Sequence, residues 1–205
     1  MKIGIIGAGN IGEATARLLS RAGHAVAISN SRGPDSLTEL VSEIGPGAQA
    51  LSADDAASFG EVVLLAVPWR SLIALPAPER VAGKIVIDAM NPYDDNLQVI
   101  DLGDSSSSEE TAKRLPGARV VKAFNTMQAA TLRNGGQMGQ SDRLALFVAG
   151  DDQDAKTVVS RLIDEIGFAA VDTGSLREGG RRQQPGSPLY LRDMTAAEAQ
   201  QAMAD

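Results

Sequence analysis

A chain of 205 residues with a net charge of −7 and no cysteine is long enough for one substantial core, or a core with a small appended lobe. The missing thiols exclude disulfides, thiolate nucleophiles and cysteine-ligated metals, and the acidic balance removes any overall attraction for nucleic acid or anionic lipid. With 43% hydrophobic but only 3% aromatic residues, the interior must be filled by Ala, Val, Ile and Leu, which suits helices packed closely on a sheet.

In chain order, residues 3–6 read as a buried strand and residues 11–22 as a helix with Ile11, Ala14, Thr15, Leu18 and Leu19 on one face. A second strand over 25–29 precedes a helix over 35–44, which ends at Gly45-Pro46-Gly47. Further strands are predicted over 62–67, 85–88, 120–124 and 144–149. A helix over 154–166 stops at Gly167, and a short strand covers 169–172. Ser105 to Ser108 read as a polar loop without chemistry, and residues 174–188, rich in Gly, Arg, Gln and Pro, as an extended arm. A terminal helix is predicted from Thr195, the N-cap, with Glu198 as its capping-box partner.

Continuous apolar strands alternating with helices predict an α/β fold, a doubly wound and mostly parallel Rossmann sheet with a small C-terminal lobe and arm. The corresponding division is a dinucleotide-binding unit over residues 1–122 and a lobe over 123–205 completing a second-ligand pocket. No apolar run approaches the ~20 residues of a membrane span, and Ile3-Gly4-Ile5-Ile6-Gly7 is too short and glycine-rich for a secretory core. A cytoplasmic protein with no membrane or nucleic-acid partner is expected.

The strongest motif is Gly7-Ala8-Gly9-Asn10-Ile11-Gly12, placed between the first strand and the first helix. That context makes G-x-G-x-x-G a dinucleotide fingerprint rather than a plain glycine turn. Gly7 permits the tight turn, Gly9 lets the backbone approach a pyrophosphate, and Gly12 lets the helix sit close to the sheet. The second strand ends in Ser29-Asn30-Ser31-Arg32-Gly33, with no carboxylate for a ribose 2′-hydroxyl. Ser31 and Arg32 instead suit a 2′-phosphate, so NADP is the expected cofactor; the bland alternative for Arg32 is a solvated surface arginine.

Three later strand ends face the same crevice. Val67, Pro68 and Trp69 either wall the nicotinamide ribose or, for Trp69, cap the core edge. Asn91 either bonds a ribose or second ligand, or simply forms an Asn-Pro turn. Asn125 and Thr126, the candidate catalytic pair, put an amide and a hydroxyl at the second-ligand site. The single histidine, His24, falls at the opposite end of the sheet and reads as structural, and Lys122 reads as an ion-pair partner. No metal spacing is present. Hydride transfer between two cofactor rings asks little acid–base chemistry of the protein.

The segments Ile5-Ile6-Gly7-Ala8-Gly9-Asn10-Ile11-Gly12, Asn30-Ser31-Arg32, Val67-Pro68-Trp69, Val121-Lys122-Ala123-Phe124-Asn125-Thr126, Ala149-Gly150-Asp151-Asp152 and Asp172-Thr173-Gly174-Ser175-Leu176 together resemble the NADPH-dependent oxidoreductases of the coenzyme F420 type. Related domains form the cytosolic part of the STEAP metalloreductases. The resemblance spans roughly residues 1–176. It implies NADP(H) held by Gly9, Asn10, Ile11, Ser31 and Arg32, a deazaflavin (coenzyme F420) or flavin ring near Phe124, Asn125, Thr126 and Met127, and a homodimer. Asn125 stands where the deazaflavin enzymes carry a histidine, which brings this chain closer to the metalloreductase domains that deliver hydride to FAD. Arg177, Arg181 and Arg182 replace the apolar tail of the deazaflavin enzymes, as a clamp for an anionic ligand, a solvated arm or a strap swapped between the subunits of a dimer. The competing functions are an NADPH-dependent reductase of a small carbonyl or imine and a non-catalytic NADPH-binding module.

Overall fold

The computed structural model describes residues 1–71, 74–135 and 142–204. The first half alternates β1 (Lys2–Ile6), α1 (Asn10–Arg21), β2 (Ala25–Ser29), α2 (Thr38–Ile44), β3 (Ala48–Ala50), α3 (Ala53–Phe59) and β4 (Val62–Leu65). It continues with α4 (Pro78–Val81), β5 (Ile85–Asp88), α5 (Ser107–Arg114), β6 (Arg119–Lys122) and α6 (Ala129–Arg133). The chain ends with β7 (Ala145–Gly150), α7 (Gln153–Glu165), β8 (Ala169–Gly174), α8 (Glu178–Arg182) and α9 (Ala196–Ala204).

The described strands form one sheet in the order β3-β2-β1-β4-β5-β6-β7-β8. Its first six strands are parallel, β7 runs antiparallel to β6, and β8 is parallel to β7. The 3-2-1-4-5-6 order is that of the doubly wound Rossmann sheet. Strand residues alternate faces, so Val62 and Leu64 enter one apolar cluster with α1 and α7, while Val63 and Leu65 enter another with α3 and α5. Both faces are covered, which is why these strands carry unbroken apolar runs. A third cluster joins Phe147 and Val171 to Leu189, Met194 and Ala199 beneath α9.

The sheet continues across residue 122 without interruption. Beyond it, the expected extended arm is corrected: the chain folds into α8, with Arg177, Arg181 and Arg182 exposed to solvent. Gly179 and Gly180 are buried because α8 lies against Thr173 and Ser106 so closely that a Cβ at either position would press on them. The expected loop at Ser105 to Ser108 is also corrected. Ser106 is the N-cap of α5, accepting from the Glu109 N–H at 3.1 Å, while the Glu109 carboxylate accepts from the Ser106 N–H at 2.7 Å. The predicted helix over 35–44 begins as a 3-10 turn, Pro34–Leu37, before α2. No membrane-spanning helix occurs among the described residues.

The capping box at Ser106 satisfies two otherwise orphaned donors at a buried helix start. Ser106→Ala is expected to cost about 1 kcal/mol of unfolding free energy, read as a lower urea midpoint at unchanged slope.

Candidate functional site

The reversal of strand order falls between β1 and β4, where their crossovers leave in opposite directions and a crevice opens above the carboxyl ends. Gly7 turns the chain there at φ 110°. A Cβ at Gly12 would run into the Gly7 carbonyl, so α1 starts in direct contact with the turn. Gly9 is different: a Cβ built on it meets nothing within 4 Å. It is the N-cap of α1 and offers no side-chain acceptor. The first N–H groups of the helix therefore face an open cradle, with the helix dipole favouring an anion.

A cleft of about 670 Å³ spreads from this turn, lined among others by Gly7, Gly9, Ser31, Arg32, Val67 and Pro68. Its far wall is the loop after β2. There Asn30 folds the chain locally, its Oδ1 accepting from the Arg32 N–H at 2.9 Å while its Nδ2 donates to Ser36 at 2.9 Å. This leaves Ser31 and Arg32 exposed, and the Arg32 guanidinium makes no ion pair among the described residues. Ile11 packs partly against the core beneath α1.

Trp69 departs from the expected wall. It is 8% exposed, its indole N–H donates to the Ser107 carbonyl at 3.3 Å, and the Arg114 guanidinium lies 5.0 Å from its ring. Pro68 lines the cleft while the next side chain turns into the core against α5, so only Val67 and Pro68 remain on the wall.

A second group of polar side chains sits over the ends of β5 and β6. Phe124 takes φ 65°, a left-handed conformation that bulky residues rarely adopt. It ends β6 and throws Asn125 across to the loop after β5. Asn91 and Asn125 then bind each other reciprocally: Asn91 Nδ2 donates to the Asn125 carbonyl and Asn125 Nδ2 to Asn91 Oδ1, both at 3.0 Å. Asn125 Nδ2 also donates to the Gln183 carbonyl at 2.7 Å, while Asn125 Oδ1 is buried without a partner among the described residues. The Thr126 carbonyl accepts from the Leu191 N–H at 2.8 Å.

Beneath this group lies a fully buried ion pair. Lys122 Nζ stands 3.7 Å from Asp88 Oδ2 and donates to the Met90 carbonyl at 2.6 Å and to Ser107 Oγ at 3.2 Å. Asp88 accepts from Ser108 Oγ at 2.6 Å and from the Met90 N–H at 2.9 Å. Burial pushes the Lys122 ammonium below its ordinary range, and the Asp88 carboxylate opposes that. Together the pair grips Met90 by its N–H and its carbonyl, which sets Asn91. His24 lies apart, at the start of β2, bonded to Glu165 at 2.8 Å.

Residues the sequence did not single out complete the picture. Tyr93 and Tyr190, the two tyrosines of the chain, meet hydroxyl to hydroxyl at 3.2 Å, and Asn91 Nδ2 reaches the Tyr190 oxygen at 3.4 Å. Burial, then the neighbouring Tyr93, holds the Tyr190 phenol above its ordinary range.

Comparison with known proteins agrees with this geometry. The model of a family described as "NADP oxidoreductase coenzyme F420-dependent" matches residues 2–92. A solved structure of a "putative F420 dependent NADP-reductase" from Arthrobacter sp. FB24 is 30% identical, covering 86% of both chains at a TM-score of 0.75. The chain belongs to this family. It is thus a Rossmann-fold, NAD(P)-dependent oxidoreductase. The solved structure of hypothetical protein SMa0349 from Sinorhizobium meliloti is 38% identical, covering 95% of both chains at a TM-score of 0.83. Metalloreductase STEAP3 of Rattus norvegicus is 33% identical over 93% of this chain but only 37% of its own length. The chain therefore spans well under half of the curated relatives it matches. Proteins named as imine reductases and 3-hydroxyisobutyrate dehydrogenases share the fold at 14–20% identity, a likeness of fold alone.

Two expectations separate the cradle from its support. Gly9→Ala should leave unfolding within about 1 kcal/mol of the parent while weakening NADPH binding, whereas Gly12→Ala should lose stability as well. Lys122→Met strands Asp88 as an unpaired buried charge and is expected to cost roughly 3–5 kcal/mol, measured by urea denaturation.

Proposed function

We propose that the chain binds NADP(H) across the cleft and transfers a hydride between it and an acceptor seated over the ends of β5 and β6. The observation that carries the cofactor is the end of β2. Ser31 and Arg32 stand exposed there, the guanidinium makes no ion pair among the described residues, and no carboxylate occupies the position that would bind a free 2′-hydroxyl. The open cradle at Gly9 fits a diphosphate, and Asn10, Ile11 and Gly12 contribute the helix N–H groups that would face it.

In this reading residues 1–122 hold the nucleotide and residues 123–205 complete the acceptor pocket. When bound, NADPH supplies the hydride. Arg32 and Ser31 fix the adenosine end, and Val67 and Pro68 wall the passage towards β4. Asn91, held by the Asp88–Lys122 pair, and Asn125 present polar groups at the nicotinamide end, with Thr126 next to them in the chain. Exact placement of the reacting rings is where most of the rate is gained.

The family and the Arthrobacter relative support a deazaflavin (coenzyme F420) as acceptor, with a flavin as the chemically related choice. A specific observation favours a second reading, reduction of a small carbonyl or imine. Such an acceptor takes a proton as well as a hydride, and the paired phenols of Tyr93 and Tyr190 lie beside Asn91 with protons to give. Mixing the protein with NADPH and, separately, the deazaflavin, FMN, FAD and a carbonyl and imine panel decides between them. Turnover with the deazaflavin or flavins supports the first reading and turnover with the panel alone the second; nucleotide binding without turnover would leave a binding module. We further propose a homodimer as the assembly.

Arg32→Ala is expected to remove roughly 1.5–3 kcal/mol of NADPH binding, the range for a charged hydrogen bond, about ten- to hundredfold in Kd. NADH binding should hardly change; equal loss for both nucleotides would remove the assignment.

A further inference from the structure

NADP(H) carries two diphosphate charges besides its 2′-phosphate, and this chain has a net charge of −7. Arg32 answers the 2′-phosphate at the adenosine end. At the diphosphate the turn itself offers only backbone N–H groups, since Gly7, Ala8 and Gly9 have no polar side chain.

A cation reaches this point from another part of the chain. Leu132 of α6 is fully buried in the main apolar cluster, and a Cβ on Gly135 would touch Leu18 of α1, so α6 is seated firmly along α1. This brings Arg133, the last residue of α6, to the start of α1. Its Nη2 donates to Asn10 Oδ1 at 2.7 Å. Asn10 is the first residue of α1, directly after the open cradle at Gly9. Arg133 is exposed, and among the described residues no carboxylate pairs with it. Glu13, the acidic side chain in the first turn of α1, is occupied by Arg17 at 3.1 Å, and Arg17 in turn holds Glu43. One edge of the Arg133 guanidinium is therefore fixed by Asn10 while its charge remains unmatched beside the anion cradle.

We propose that Arg133 is a second cationic ligand of the nucleotide, bracketed by Asn10 and directed at the diphosphate. This rests on the NADP(H) reading given above. It divides the work of the two arginines: Arg32 recognises the phosphate that distinguishes NADP from NAD, and Arg133 recognises the part both share. It also ties the nucleotide to the segment that carries Asn125 and Thr126, only a few residues before α6.

The test is calorimetric titration of the wild type, Arg133→Ala and Arg32→Ala with NADPH and with adenosine 2′-monophosphate, which has the 2′-phosphate but no diphosphate. Arg133→Ala should weaken NADPH about tenfold, the loss of one charge-assisted bond, and leave adenosine 2′-monophosphate unchanged. Arg32→Ala should weaken both. An unchanged NADPH Kd in Arg133→Ala, or an equal loss for adenosine 2′-monophosphate, overturns the role of Arg133. A wild type that binds neither compound overturns the nucleotide reading itself, and this proposal with it.

Discussion

The structure depends on one topological constraint. β1 lies at the centre of a parallel sheet with β2 on one side and β4 on the other, and the connections leave it in opposite directions. No crossover can close the space above the carboxyl ends of β1 and β4, so a crevice is inevitable there. The contact of α1 with that crevice follows from Gly7 and Gly12, where backbone approaches backbone too closely for any Cβ. Ser31, Arg32, Val67 and Pro68 line that crevice, and Asn91 and Asn125 lie over the neighbouring ends of β5 and β6, because all six parallel strands end at the same edge.

Two kinds of polar group meet at this edge. On the side of β2, Ser31 and Arg32 are exposed and the Arg32 guanidinium makes no ion pair among the described residues, as a site for a charged ligand requires. On the side of β5 and β6 they are buried and bonded to one another. The Asp88–Lys122 pair grips Met90, Asn91 grips Asn125, and Asn125 grips the Gln183 carbonyl in the segment after α8. A buried charged pair is costly to bring out of water and adds little net stability, so its value here lies in fixing the turn that carries Asn91. The left-handed Phe124 is a further cost accepted at the same place.

The sheet was largely legible because its strands are continuous apolar runs of the right length; β2 and β5 have the expected bounds. β3 was missed because Ala48-Gln49-Ala50 is too short and too exposed to show a pattern. α5 was masked by its serines, although Ser106 followed three residues later by Glu109 is a capping signature. The tail was misread because Gly179 and Gly180 suggest a flexible arm, whereas here they permit α8 to lie close against Thr173 and Ser106. The nucleotide half of the site was legible because the G-x-G-x-x-G motif and the β2 end are local in sequence. The meetings of Tyr93 with Tyr190 and of Arg133 with Asn10 join residues far apart in the chain, and no local pattern announces them.

The proposed selectivity is electrostatic: an exposed guanidinium and hydroxyl at the end of β2, with no carboxylate in the ribose-binding position, would favour the phosphorylated nucleotide. The dissociation constants of the unmodified protein for NADPH and NADH, measured side by side at one ionic strength, test it most directly. The account predicts tighter binding of NADPH by about tenfold or more, the worth of a charge-assisted hydrogen bond. Equal affinities, or a preference for NADH, would contradict it.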